Sequence, residues 1–367
     1  MKIAIVGGGW AGLSAAVTAC QAGHEVTVFE AASTLGGRAR ALPFDTPLPH
    51  GATTRLDNGQ HILIGAYTQT LDLMRELGVD DEQVLLRRPL AMSFADGSGL
   101  QTPDWASTWP APLDALAAII LAKGWRWGDK LSLLRTCMAW QLAGFQCGPT
   151  TSVTELCRGL SPILMTELIE PLCVSALNTP AQEASGLVFL RVLKDALFGV
   201  RGGSHLLLPI ADLDALLPQA AARWLRAHGA QVRTGTRIQH MHWQAPHWWV
   251  HQEPYEQVIW ATGTHEAHRA MARFANTASA DGGTEQTLLA QALKEWAACT
   301  GQLQFKAIAT LYAWAPDARL PQPMLALRSG PAAPAQFVFD RGQLGGPAGL
   351  LAFVVSASEG GRDALQG

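Results

Sequence analysis

The first thirty residues constrain this chain more than any other stretch. KIAIV (2–6) is a short, mostly branched apolar run, the kind carried by a strand buried on both faces. GGGWAG follows with no spacer, and Gly7, Gly9 and Gly12 fill the spacing G-x-G-x-x-G. LSAAVTACQAG (13–23) reads as a helix stopped at Gly23, and HEVTVFE (24–30) as a second strand ending in an acid, Glu30. Strand, glycine turn, helix, strand and acid in that order predict a Rossmann-like dinucleotide-binding unit. The first glycine permits the tight turn, the second lets the backbone approach a pyrophosphate, and the third lets helix and strand pack closely. The free N–H groups at the helix start favour phosphate, and Glu30 is placed to accept hydrogen bonds from an adenosine ribose.

A second glycine turn separates FAD from a nicotinamide. STLGGRAR (33–40) brings Gly36, Gly37 and Arg38 just past Glu30. A longer ligand needs another donor at its pyrophosphate, and the guanidinium fork of arginine fits phosphate oxygens at two points. A polar knot comes next. LDNGQHILIGAY (56–67) sets Asp57, Asn58, Gly59, Gln60 and His61 side by side and then turns apolar. Asn-Gly is a turn signal, but a turn alone does not call for the Asp, Gln and His around it.

These motifs together resemble the FAD-dependent amine oxidase and phytoene desaturase superfamily. VIWATG (258–263) is similar to its later strand and turn beneath the adenine, and Ile238 in GTRIQ matches a position whose backbone meets the adenine. LDNGQHILIGAYTQTLDLMRELG (56–78), EPLCVSALNTP (170–180) and GGSHLLLPIADL (202–213) resemble the squalene-associated branch, the hydroxysqualene dehydroxylases. The resemblance implies a fold of class α/β: a Rossmann-like, glutathione-reductase-like FAD domain with an inserted α+β substrate domain. It implies FAD contacts at Gly7, Gly9, Trp10, Ala11, Gly12, Glu30, Ala31, Gly36, Gly37 and Arg38. Further contacts are expected at Gly59, Gln60, Ile238, Ala261, Thr262 and Gly263. The superfamily closes its FAD site with a C-terminal Gly-Asp segment. The chain ends at SASEGGRDALQG without one, so an open flavin half is expected.

The chemistry implied is reductive removal of an allylic hydroxyl from hydroxysqualene by hydride from reduced FAD, with an electron donor that the sequence does not name. An acid should assist the departing water. The candidates are His61, Gln60 and Asp57; His61 reads equally as an orienting group, and Asp57 as a cap on backbone N–H groups. A carotenoid-type desaturase or amine oxidase of the same fold stays open, as does a non-enzymatic prenyl-binding protein. Only three tyrosines, Tyr67, Tyr255 and Tyr312, are present to build the aromatic cage an amine oxidase would want.

At 367 residues the chain is long enough for two domains. The FAD domain is expected at 1–85 and 200–270, and the substrate domain at 86–199 and 271–367. NTASADGGTEQ (276–286) reads as a polar loop. Apolar residues make up 48% and charged residues 16%, and the formal net charge is −3. No Lys/Arg-rich run offers a field for nucleic acid. Six scattered cysteines contain no CxxC pair, which fits reduced thiols in a cytoplasmic protein and no zinc site. His240, His242, His247 and His251 are interleaved with Trp243, Trp248 and Trp249 and read as a packed hairpin face, so no metal is expected. HEAH (265–268) reads as a helix start. Lys2 and the apolar start do not make a signal peptide, because three glycines interrupt them. No apolar run reaches spanning length. Trp105, Trp109, Trp125, Trp127 and Trp140 flank an apolar segment bearing Lys123, Arg126 and Lys130. That region, 105–140, fits either the core of a substrate domain or contact with the inner face of a membrane.

Overall fold

Ile3 and Ile5 point to one side of their strand, Ala4 and Val6 to the other, and both sides are covered. That is why KIAIV has no polar residue after Lys2. The computed structural model describes residues 1–49, 53–110, 112–280 and 283–358, with the backbone alone for 278–280. In it β1 (Lys2–Val6) is an inner strand of a four-stranded parallel sheet. Its neighbours are β2 (Glu25–Phe29) on one side and Gln257–Trp260 on the other, with Gln231–Arg233 beyond β2. The register sets Val6 level with Phe29 and Trp260, and Phe29 level with Arg233. All four carboxyl ends therefore open on one edge. The chain leaves β1 toward β2 on one side and returns on the other, so this edge holds the crevice where such sheets bind ligands.

Two layers cover the sheet. The helix α1 (Trp10–Gln21) lays Leu13, Ala16 and Val17 on the Ile3/Ile5 face, beside Ala220, Ala221 and Leu225 of the Pro218–Ala227 helix. The Ala4/Val6 face meets the meander Met241–Gln244, His247–Val250 and Glu253–Tyr255. The histidines of that meander are dispersed: His242 stacks on Trp249, while His251 packs against Phe29. Residues 271–300, read above with the substrate domain, add Met271, Phe274 and Ala297 to this same cluster.

One expectation is corrected here. Residues 276–280 and 284–286 are not loop: they end the helix Thr264–Ala280 and begin the helix Thr284–Thr300. Alanine in this stretch favours helix, and the two helices pack along their length, with the His268 ring bonded to the Ala297 carbonyl at 2.7 Å. Residues 281–282 lie outside the described residues.

The intervening region is mostly helical between Leu113 and Phe198, including Leu113–Leu121, Trp127–Leu142 and Gly186–Phe198. Ser152 caps Val153–Leu156 with Glu155 reaching back, a capping box. A four-stranded antiparallel sheet completes this part, in the order Ala307–Trp314, Leu350–Ser358, Phe337–Asp340, Met324–Ala326. Phe337, Phe339 and Val354 of the sheet share one cluster with Leu164, Phe189 and Leu190 of the helices. Residues 359–367, on which the expected lack of a closing segment falls, lie outside the described residues.

The tightest spot in the fold is the glycine turn. A Cβ on Gly12 would stand 1.9 Å from the Gly7 carbonyl oxygen, whereas one on Gly263 would meet nothing within 4 Å. Gly12→Ala should therefore lose about 2–3 kcal/mol, and Gly263→Ala less than about 0.5 kcal/mol, in thermal or denaturant unfolding. Equal losses would mean the turn relaxes freely.

Candidate cofactor and active site

Glu30 leaves the end of β2 and turns back over the glycine turn. One carboxylate oxygen accepts the Gly8 N–H at 2.7 Å and the other the Ala32 N–H at 2.8 Å. Glu30 thus ties two backbone segments together. Gly7 donates to the Phe29 carbonyl and Ala261 to the Val6 carbonyl, which fixes the glycine turn against both neighbouring strand ends. The Ala261 carbonyl lies 2.7 Å from where a Gly7 Cβ would be. Gly9 starts α1 with no side-chain cap, so the first N–H groups of that helix remain free for a ligand.

The second turn docks on the first. Gly36 donates to the Gly8 carbonyl at 2.9 Å, and Gly9 and Gly36 form a parallel bridge. Gly37 holds φ +63°, and a Cβ there would lie 3.2 Å from the Cα of Gly9. Trp10, expected at the cofactor, sends its indole N–H to the Ala39 carbonyl at 3.0 Å and latches the second turn to α1. Arg38 is exposed, and its guanidinium makes no hydrogen bond among the described residues. Ala31 is exposed beside it, Ile238 is buried against Phe29 and Val6, and Thr262 accepts the Trp260 indole N–H at 2.8 Å. A glycine cradle without side chains, an acid at its floor and an unpartnered arginine at its rim fit the ADP half of FAD.

The polar knot continues that rim. Asn58 donates to the Arg40 carbonyl at 3.0 Å and its side chain accepts from the Arg40 N–H at 3.3 Å. His61 is half-buried with its ring hydrogen-bonded to the Arg38 backbone. Burial, with the Arg38 charge, lowers its pKa, so the ring is neutral at neutral pH. A Cβ on Gly59 would crowd the His61 ring at 3.2 Å.

Three residues that sequence reasoning missed close over the knot. Thr310 Oγ1 accepts the Gln60 N–H at 3.3 Å. The Tyr312 hydroxyl donates to the Asp57 carbonyl at 3.2 Å. Arg341 donates to Gln60 Oε1 at 3.3 Å and to the Pro209 carbonyl at 3.4 Å. The one available signal was Thr310 and Tyr312 at i and i+2, a polar face on an otherwise apolar strand. Arg341 also fixes which way the Gln60 amide points: with Oε1 held, Nε2 is left to donate.

Asp57 faces inward. Its carboxylate accepts the Leu213 N–H at 3.0 Å, in front of the helix Leu213–Leu216. Next to it Asp214 accepts the Ala41 N–H at 3.0 Å and pairs with Arg55 at 2.7 Å. Burial pushes the Asp57 carboxyl up to about 6, against the Leu213 N–H and the Arg341 charge, which lower it. Burial pushes the Cys157 and Cys173 thiols up to about 12.

Comparison with known proteins agrees with this geometry. The model of the family described as flavin containing amine oxidoreductase matches residues 10–279. A hydroxysqualene dehydroxylase of Zymomonas mobilis is 29% identical over 241 residues, 65% of this chain and 54% of that protein. The chain therefore spans about half the length of that relative. A 15-cis-phytoene desaturase of Synechococcus elongatus is 31% identical over 120 residues, 33% of this chain and 24% of that one. Among solved structures, an oxidoreductase from Methanosarcina mazei superposes with a TM-score of 0.66 at 16% identity, covering 100% of this chain and 81% of that one. This last likeness is one of fold.

The Asp57 environment predicts a pH dependence. The folded value lies above the ordinary 3.8, so the folded chain holds this proton more tightly than the unfolded one. Its contribution to stability is full below that ordinary value, falls as pH rises to about 6, and is level above. Asp57→Asn keeps an acceptor for Leu213 and removes the slope. The melting temperature of the variant should gain on the wild type across that window in a series of thermal scans. Parallel curves would assign the slope to other groups.

Proposed function

The chain belongs to the flavin-containing amine oxidoreductase family, and from that membership we propose an FAD-dependent oxidoreductase acting on a long apolar isoprenoid. Its reaction is the reductive dehydroxylation of hydroxysqualene to squalene. The observation that carries this reading is the hydroxysqualene dehydroxylase match over 65% of the chain, about twice the span of the desaturase match. Bound FAD, once reduced by an external donor, would supply the two electrons as one hydride to the carbon that loses the hydroxyl, and the proton of the reduced flavin would balance the hydroxyl as it leaves as water.

The chain supplies the rest. Glu30 accepts from the ribose hydroxyls, and the N–H groups at the start of α1, with Arg38, hold the pyrophosphate. Gly59 lets the backbone come close to the flavin ring, and His61, neutral and tied to the Arg38 backbone, sets the position of that wall. Two neutral donors face the polar end of the pocket in this reading. Gln60 Nε2 is freed because Arg341 holds Oε1, and the Thr310 hydroxyl accepts the Gln60 N–H and keeps its own proton to donate. Either one hydrogen-bonds the departing hydroxyl without placing a charged acid in an apolar site. This reading gives Asp57 no such role, because its carboxylate is engaged by the Leu213 N–H. Beyond the knot Ile62, Ile64 and Leu86 pack against the largest apolar cluster and give the isoprenoid chain an apolar lead-in.

A second reading, a carotenoid-type desaturase, is favoured by the phytoene desaturase match and runs the flavin in the opposite direction. Anaerobic mixing of photoreduced protein with hydroxysqualene separates the two. Squalene should form as the flavin spectrum returns to the oxidised form. Inert hydroxysqualene together with desaturation of phytoene by the oxidised protein would replace the first reading with the second. Glu30→Ala should weaken FAD binding by about 1.5–3 kcal/mol, the worth of hydrogen bonds to a charged group. An unchanged dissociation constant by flavin fluorescence would remove Glu30 from the site.

A further inference from the structure

Two consecutive helices of the intervening region turn apolar side chains to water. On Leu113–Leu121, Leu113, Leu116 and Ile120 recur at i, i+3 and i+7 and are exposed, while Ala117, Ala118 and Ile119 are buried. On Trp127–Leu142, Trp127, Leu131, Met138 and Leu142 form one stripe at i, i+4, i+11 and i+15, exposed by 71, 49, 60 and 84%. The buried residues of that helix are Leu133, Trp140 and Lys130, whose ammonium donates to the Ile120 carbonyl at 2.7 Å. A helix facing water carries mainly polar residues on its outer side; this pair turns large apolar residues outward among its cations. The five tryptophans are also sorted. Trp125 and Trp140 are core residues, Trp125 bonding buried Glu167 at 3.2 Å, whereas Trp105, Trp109 and Trp127 are exposed.

The charges on this face are biased. Residues 113–142 carry Lys123, Arg126, Lys130 and Arg135 against Asp114 and Asp129, in a chain whose overall charge is −3. Asp114 is buried, and Asp129 is turned onto the Arg126 N–H at 2.9 Å. Lys123, Arg126 and Arg135 are exposed, and Arg135 lies on the apolar stripe itself. We propose that these two helices dock on an anionic lipid bilayer, with the stripe at the acyl boundary and the cations at the headgroups. A second copy of the chain fits less well, since a symmetric contact would set the three cations against their own copies. No helix among the described residues is long and apolar enough to cross a membrane, so docking is on the surface. The inference is independent of the substrate.

Flotation and sedimentation of the FAD-loaded protein with vesicles of phosphatidylcholine alone, or mixed with phosphatidylglycerol, test it. Wild type should partition to the mixed vesicles, and added salt should weaken that binding. M138E/L142E should lose at least about tenfold in partitioning, and K123Q/R126Q about ten- to thirtyfold at low salt, with unfolding temperatures unchanged. L288E, a charge on an exposed residue of another helix, should bind like wild type. No partitioning of wild type to mixed vesicles, or equal loss in L288E, overturns the proposal. So does a concentration-dependent dimer, abolished by M138E/L142E, in a protein that ignores vesicles.

Discussion

The Glu30 carboxylate is the hinge of this molecule's chemistry. It stands at the end of a strand and spends one oxygen on the glycine turn and the other on its own loop. Two segments that would otherwise repel a side chain and part from each other are held by charge-assisted bonds. Gly36 then pairs with Gly8, and Trp10 latches Ala39, so the second turn has nowhere else to lie. The absence of side chains at Gly7, Gly12 and Gly37 lets the backbones meet, and the carboxylate makes the meeting stable. In the function proposed above the same acid would also accept from the ribose, so the group that builds the cradle would help to select its ligand.

From the cradle a single polar rim runs to the far end of the crevice. Arg40 and Asn58 exchange hydrogen bonds, His61 reaches the Arg38 backbone, and Gln60 is met by Thr310 and Arg341. The last two come from the antiparallel sheet region, so the arrangement of the knot depends on the docking of one part of the chain on another. Asp57, buried below, holds the start of the Leu213–Leu216 helix and sets the height of the knot. Its raised pKa is the cost of burying the carboxyl, to which the neighbouring Asp212 and Asp214 add, and the Leu213 N–H and Arg341 offset only part of it.

Local chemistry was legible in the sequence; distant closure was not. Gly7, Gly12, Glu30 and Gly36 announce themselves because the turn, the helix and both strands lie within forty residues and each demands a particular residue type. The knot at 57–61 was visible as an excess of polar groups without a purpose. Its purpose lies in Thr310, Tyr312 and Arg341, which stand 250, 255 and 281 residues from their partners. No period or motif spans such distances. Gly-rich polarity at 276–286 pointed to a loop, and helix packing against the sheet overrode it through His268 and Ala297. The tryptophans near 105–140 could not be sorted by spacing alone, because exposed Trp105, Trp109 and Trp127 are interspersed along the chain with buried Trp125 and Trp140.

Amide hydrogen exchange at the two glycine turns, with and without FAD, decides whether the cradle is built before its ligand arrives. The Gly8 and Gly36 amides, already bonded to Glu30 and to the Gly8 carbonyl, should exchange slowly in the apoprotein. FAD should add protection at Ala11, Gly12, Gly37 and Arg38, whose amides await an acceptor. Free exchange across residues 7–12 and 30–38 until FAD is added would contradict a preformed cradle, and with it the role given to Glu30.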